Sequence, residues 1–348
     1  MKKKLLILPL VFVVFAEANA QDIHFSQITA TPLLLNPSQA GLGHDVLAII
    51  NYKDQWRSVA TASAYRTFNT SADFSLLKKP SGTHLGMGVN IFSDKAGDAN
   101  MGTTTGQLHL SGVLGVNDNN LVSAGIFGGY GQRSLQYDKL YWDNQYDGVQ
   151  YNSALPSGEP QTFANYGYLD IGAGMSWFFS AGHSTLSSND AKLFNLGVAF
   201  HHLNKPVYSY YGNSDERLPM KIILHGNADI GIKNYNLVLQ PSYIVMLQHA
   251  HREITPGLVF KYITKESSKY TGRKKASAFM LGGYFRMKDA IVATAGYEFS
   301  SWAIGMSYDI NISDLSTATN ARGGFEISLR YILPNPFGGK ATSTSKFN

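Results

Sequence analysis

Residues 302–311, Trp-Ala-Ile-Gly-Met-Ser-Tyr-Asp-Ile-Asn, decide the fold. Trp302, Ile304, Met306, Tyr308 and Ile310 are large and apolar, and they alternate with Ala303, Gly305, Ser307, Asp309 and Asn311, which are small or polar. A period of two belongs to a strand, whose successive side chains point to opposite faces. The second face carries the decision. A soluble sandwich turns lysine, glutamate and threonine to water, whereas glycine, serine and alanine with single charges suit a crowded barrel interior. The large apolar face is then the lipid side, with Trp and Tyr at the membrane interfaces.

The same alternation recurs along the chain. Phe325, Ile327, Leu329 and Tyr331 face away from Gly324, Glu326, Ser328 and Arg330; Leu169, Ile171, Ala173, Met175 and Trp177 face away from Asp170, Gly172, Gly174 and Ser176. Leu85, Met87, Val89 and Ile91 alternate with His84, Gly86, Gly88 and Asn90, and Phe194, Leu196, Val198 and Phe200 with Asn195, Gly197, Ala199 and His201. About 14 such segments occur, from residues 45–56 to residues 323–333. With the first strand starting in the periplasm, the even connections are mostly short, and Asn117-Asp118-Asn119-Asn120 is a strong turn sequence. The longest connections, 134–166 and 204–218, both fall on the opposite side. Short periplasmic turns with long outer loops mark an outer-membrane barrel. The fold class is therefore all-β: a transmembrane outer-membrane β-barrel of about 14 antiparallel strands with a non-strand N-terminal segment.

Composition agrees. The 348 residues include 34 Gly and no Cys, with 44% hydrophobic and only 15% charged residues. That much apolar surface excludes a disordered chain, and no long uncharged apolar run after the N-terminus offers a transmembrane helix. Without Cys no disulfide holds the fold, which suits a closed ring in which every strand is paired. Lys2, Lys3 and Lys4, an apolar run from Leu5 to Phe15 and Ala18-Asn19-Ala20 read as a Sec signal peptide over residues 1–20. Its removal takes away three lysines and Glu17, leaving 26 basic and 23 acidic residues, so nucleic acid is a poor partner. Residues 21–44 read as a plug-like or sealing segment, 45–334 as the barrel and 335–348 as a flexible C-terminal tail.

Chemistry-bearing motifs are few. His249-Ala250-His251 with Glu253 lacks a third ligand at a recognisable metal spacing. His201 and His202 are adjacent at a strand end, so their rings are expected on opposite faces. Asp73, Asp170, Asp229, Asp309, Glu326 and Arg330 are expected in the lumen, as a salt-bridged filling or as gating charges. The basic run Lys265, Lys269, Arg273, Lys274 and Lys275 falls on an expected periplasmic turn. Neither a G-x-S-x-G elbow nor an H-E-x-x-H helix occurs, and His109 with Ser111 is only a same-face pair. The expectation is no enzyme, no catalytic residue, no cofactor and no metal.

One set of motifs resembles a known family. Gln21-Asp22-Ile23-His24-Phe25-Ser26-Gln27, then Pro32-Leu33-Leu34-Leu35-Asn36-Pro37-Ser38-Gln39-Ala40-Gly41, is similar to the opening of the PorP/SprF family, outer-membrane proteins of the Bacteroidetes type IX secretion system. Asn51-Tyr52-Lys53-Asp54-Gln55-Trp56 resembles its Y-R-x-Q-W element, with Lys53 in place of the usual arginine. Residues 168–174, 201–206, 286–290, 305–311 and 323–329 continue the likeness in order. The resemblance implies an outer-membrane barrel that retains secreted cargo bearing a type B C-terminal domain, including gliding adhesins, and that contacts the periplasmic lipoprotein ring of the motor. Family-motif and lumen-facing candidates are Asn36, Pro37, Gln55, Trp56, Asp170, His201, Asp309, Glu326 and Arg330. The alternatives are a passive porin or small-molecule transporter, with an open charge-ringed lumen, and a structural anchor for a periplasmic complex.

Overall fold

A computed structural model describes residues 24–60, 63–158, 165–182, 189–212, 215–265 and 276–333. Fourteen strands follow one another: β1 Val46–Gln55, β2 Tyr65–Leu76, β3 His84–Ala96, β4 Met101–Asn117, β5 Asn120–Ser134, β6 Tyr166–Ala181 and β7 Lys192–His201. The series continues with β8 Lys221–Gly231, β9 Leu237–Gln248, β10 His251–Lys265, β11 Ser277–Arg286, β12 Ala290–Phe299, β13 Trp302–Asn311 and β14 Arg322–Leu333. Each strand pairs antiparallel with its neighbours in sequence, and β14 returns to β1 to close the ring. The closing ladder runs without a break from Val46↔Leu333 to Gln55↔Gly324. Among the described residues no sheet edge is left exposed, which a hydrocarbon environment requires because an unpaired backbone group has no water to bond.

The alternation read from residues 302–311 sorts inside from outside. Trp302, Ile304, Met306, Tyr308 and Ile310 are exposed on the outer surface, while Ala303, Ser307, Asp309 and Asn311 are buried. Leu85, Met87, Val89 and Ile91 face out on β3, and His84 and Asn90 face in. Among the described residues no helix is long and apolar enough to cross a membrane.

The seven connections that follow odd-numbered strands share one end of the barrel, the loop end; those that follow even-numbered strands share the other, the turn end. Both longest connections, β5–β6 and β7–β8, lie at the loop end. Of the expected basic run, only Lys265 falls within the described residues; the rest lies outside them. At the loop end β9 runs to Gln248 and β10 starts at His251, so His249-Ala250 is a two-residue turn with His249 in the left-handed region at φ 51°.

One local expectation is corrected. His201 and His202 do not point to opposite faces: both are buried, with ring centroids 6.2 Å apart. Strand β7 stops at His201, and His202 adopts a φ of 57°, which breaks the alternation and turns its ring inward toward Asp170.

Candidate functional site in the barrel lumen

Residues 24–44 run inside the ring from the loop end to the turn end. They fold as a 3-10 turn at Ile28–Ala30, a single helical turn at Pro32–Leu35 and a second 3-10 turn at Pro37–Gln39. Two prolines at helix starts and the Asn36 side chain capping Ser38 N–H make these short turns locally favourable. Ile28 completes an apolar cluster with the inward Ile223, Ile244, Met246 and Val292.

At the loop end the segment is held by charge. The N–H groups of Ser26 and Gln27 donate to the two Glu326 carboxylate oxygens at 2.7 and 3.0 Å. Ser26 Oγ donates to Asp309 at 2.8 Å and accepts from Lys53 Nζ at 3.0 Å and Arg286 Nη2 at 2.8 Å. Lys53 also donates to the His24 carbonyl at 3.2 Å and lies 3.5 Å from Asp309. Arg286 Nη1 reaches Asp309 at 3.3 Å and Asp289 at 3.0 Å, and Glu253 stands 3.0 Å from His24 Nε2. Glu326 is fully buried, and a buried carboxylate costs several kcal/mol unless paired and hydrogen-bonded. The segment's own N–H groups supply that compensation for Glu326, and the wall cations Lys53 and Arg286 supply it for Asp309.

Midway, Asn36 bridges segment and wall. Its amide donates to the carbonyls of Met175 at 3.1 Å and Val198 at 3.2 Å, and its oxygen accepts from Ser38 N–H at 2.9 Å and Ser38 Oγ at 2.7 Å. Gln39 donates to Ser176 Oγ at 2.7 Å and accepts from Asn195 at 2.8 Å. Ser123 and Ser111 donate to the carbonyls of Ser38 and Ala40, each at 2.7 Å. The backbone of Pro37 passes so near β5 that a Cβ at Gly125 would lie 2.7 Å from its carbonyl, an approach only glycine permits. At the turn end Gly41 N–H donates to Asp73 at 2.7 Å, His44 Nε2 meets the same oxygen at 2.6 Å and His84 Nε2 donates to the Gly41 carbonyl at 2.8 Å.

A cavity of about 360 Å³ remains beside the segment. Asp229, Gln240, Glu298 and Arg330 border it, with Glu298 held by Lys261 and Arg330 at 2.5 Å each and Asp229 accepting from Gln240 at 3.0 Å. Beyond the loop end of the wall, in the β5–β6 connection, Asp147 accepts from the N–H groups of Gln150 at 2.8 Å and Val149 at 2.9 Å. These bonds hold its carboxyl below the usual range.

The structure divides the expected residues among distinct places. Asp309 and Glu326 join the loop-end cluster, Asn36 and Pro37 sit at mid-lumen, and Arg330 borders the larger cavity. His201 bonds the Leu35 carbonyl at 3.2 Å, and Asp170 bonds His202 Nδ1 at 2.9 Å. Gln55 ends β1, and Trp56 follows it at a φ of 60° with its ring edge-on to Tyr65 at 5.1 Å, away from these groups. Glu253 stands 3.0 Å from His24 Nε2 and 3.7 Å from Arg286 Nε, and no metal-binding cluster occurs among the described residues. Sequence reasoning missed Lys53, Arg286 and Ser176. Their signal was available: each is a polar residue at an inward-parity position of its strand.

A closed ring in which every strand pairs with two neighbours, with an apolar outer belt and a polar, filled lumen, defines a transmembrane β-barrel of the outer-membrane kind. Residues 17–331 match the family described as type IX secretion system membrane protein PorP/SprF, and the chain belongs to that family. It is accordingly an outer-membrane protein. No curated protein matches the chain. Structures similar to it include CdiB from Acinetobacter baumannii, at 8% identity and TM-score 0.40 over 83% of this chain and 60% of that one. BamA from Haemophilus ducreyi lacking POTRA domains 1-3 is similar at 8% identity and TM-score 0.39, over 83% and 70%. The translocator domain of autotransporter NalP from Neisseria meningitidis is similar at 9% identity and TM-score 0.34, over 83% and 88%. The chain thus spans 60% of the length of the first of these.

Proposed function

We propose that this protein is a non-enzymatic outer-membrane component of the type IX machine that retains a secreted protein with a type B C-terminal domain at the cell surface. Residues 24–44 act as its plug. The observation that carries this reading is the segment itself, bonded to the wall at the loop end, at mid-lumen and at the turn end. A lumen crossed in this way suits a protein that holds a partner at its rim better than one that passes solute. The long β5–β6 and β7–β8 connections offer the cargo a surface at one rim, and the turn end faces the motor ring at the other.

The test is capture of a purified type B C-terminal domain by the detergent-solubilised barrel. Binding is expected with the native chain and at least tenfold weaker binding when residues 135–165 are exchanged for a short glycine-serine linker. Equal capture by both would overturn retention by the loops. A passive porin is the second reading, favoured by the cavity of about 360 Å³ and its border of Asp229, Glu298 and Arg330. Swelling of liposomes containing the native protein in small sugars would favour it.

A further inference from the structure

A second, smaller cavity of about 120 Å³ lies at the loop end, beside Leu34 of the N-terminal segment and bordered by Arg133, Tyr168, His202, Tyr208 and Lys221. Arg133, at the end of β5, is stacked but not ion-paired. Its guanidinium carbon sits 4.8 Å from the Tyr208 ring centroid and 5.7 Å from that of Tyr210. Nη1 donates to Thr103 Oγ1 at 2.9 Å, Nη2 reaches the Met101 sulfur at 3.5 Å, the Tyr210 side chain also hydrogen-bonds the guanidinium, and the buried Nε has no hydrogen-bond partner. The nearby carboxylates hydrogen-bond other groups, Asp170 with His202 Nδ1 at 2.9 Å and Asp94 with Thr67 Oγ1 at 2.7 Å, and Asp94 interacts with Arg133 through charge without an ion-pair contact.

A guanidinium presents its N–H groups as a rigid fork that matches a carboxylate, and aromatic stacking leaves that fork in the ring plane still able to donate. Burying an N–H without a partner costs about 1–3 kcal/mol, a penalty that a bound acceptor removes. Tyr168 and Tyr208 stand edge to face at 5.5 Å and supply an apolar wall next to the cation. The volume is well below that of a drug-sized site, which restricts the occupant to a small acid or the last residue of a chain.

We propose that this cavity binds a carboxylate carried on a small apolar or aromatic body, with Arg133 holding the carboxylate and Tyr208 and Tyr168 contacting the body. The inference stands on this geometry alone and does not depend on cargo retention. Two sources share the chemistry, a free organic acid and the terminal carboxylate of a peptide.

The experiment is calorimetric titration of the full chain in detergent micelles with phenylacetate, with the tripeptide acetyl-Ala-Ala-Phe as the free acid, and with its C-terminal amide. Saturable binding of phenylacetate or the peptide acid is expected, lost at least tenfold in Arg133→Met. Arg133→Lys keeps charge and bulk but not the fork, and is expected to lie between the two. Peptide acid binding tenfold tighter than the amide identifies a chain terminus as the source; phenylacetate binding alone identifies a free acid. Circular dichroism checks that the variants are folded. If Arg133→Met does not fold, the acid-against-amide comparison and Arg133→Lys still decide. Absence of saturable binding of both acids to the native chain, equal affinity in Arg133→Met, or equal affinity in Arg133→Lys if only that variant folds, would overturn the site.

Discussion

The amide of Asn36 meets two wall carbonyls, Met175 and Val198, while its oxygen caps Ser38 in its own segment. Truncation of such a buried bridge leaves carbonyls and an N–H unsatisfied, a cost of about 1–3 kcal/mol. Asn36→Asp has the same shape but brings a carboxylate, which accepts and cannot donate, against both carbonyls. It is therefore expected to loosen the segment more than Asn36→Ala. Limited proteolysis of the folded barrel within residues 24–44 should follow the order native, Ala, Asp from slowest to fastest; Ala cut as fast as Asp would contradict the assignment. Asn36 stands out in the sequence because Asn36-Pro37 is a turn pair with no strand period around it. Its partners do not stand out. Ser176 and Val198 lie 140 and 162 positions away, and nothing local to either marks the pairing.

Among the elements, the wall is not uniform. Between β8 and β9 the ladder runs to Asn227↔Ser242 and resumes at Ile230↔Leu239, so the two pairs opposite Pro241 and Gln240 are missing. Proline has no N–H to give to a ladder. One lost ladder bond is worth about 1 kcal/mol net, which corresponds to about fivefold faster local opening. Hydrogen exchange at Ala228 and Asp229 is expected to outrun that of mid-strand amides in β4 by about this factor, and Pro241→Val is expected to slow it. Equal exchange in the two strands would place the weak seam elsewhere. Strand positions were legible because lipid outside and a packed lumen inside impose the strictest alternation a sequence can carry. The exceptions are places where one residue leaves the strand conformation, as His202 does with its positive φ. A single left-handed residue shifts parity without altering composition.

For the whole molecule, the filled lumen leads to an expectation about conductance. Gly125 lies on the wall where the Pro37 backbone presses closest, so Gly125→Val must displace the segment while leaving the outer face of β5 unchanged. In planar bilayers the native barrel is expected to conduct little, and both Gly125→Val and a chain lacking residues 22–37 several-fold more. Unchanged conductance in folded barrels of both kinds would sink the plug. The sequence alone determined the strand count, the lipid-facing side and the family motifs, because alternation and turn chemistry are properties of neighbouring residues. Only the tertiary structure decided that Ser26 and Gln27 cap Glu326, that Lys53 and Arg286 compensate the buried acids, and that Arg133, with a buried and unpartnered Nε, borders a cavity. Those contacts join residues up to 300 positions apart. Closing the ring is what brings them together, and no local pattern encodes which inward charge will face which.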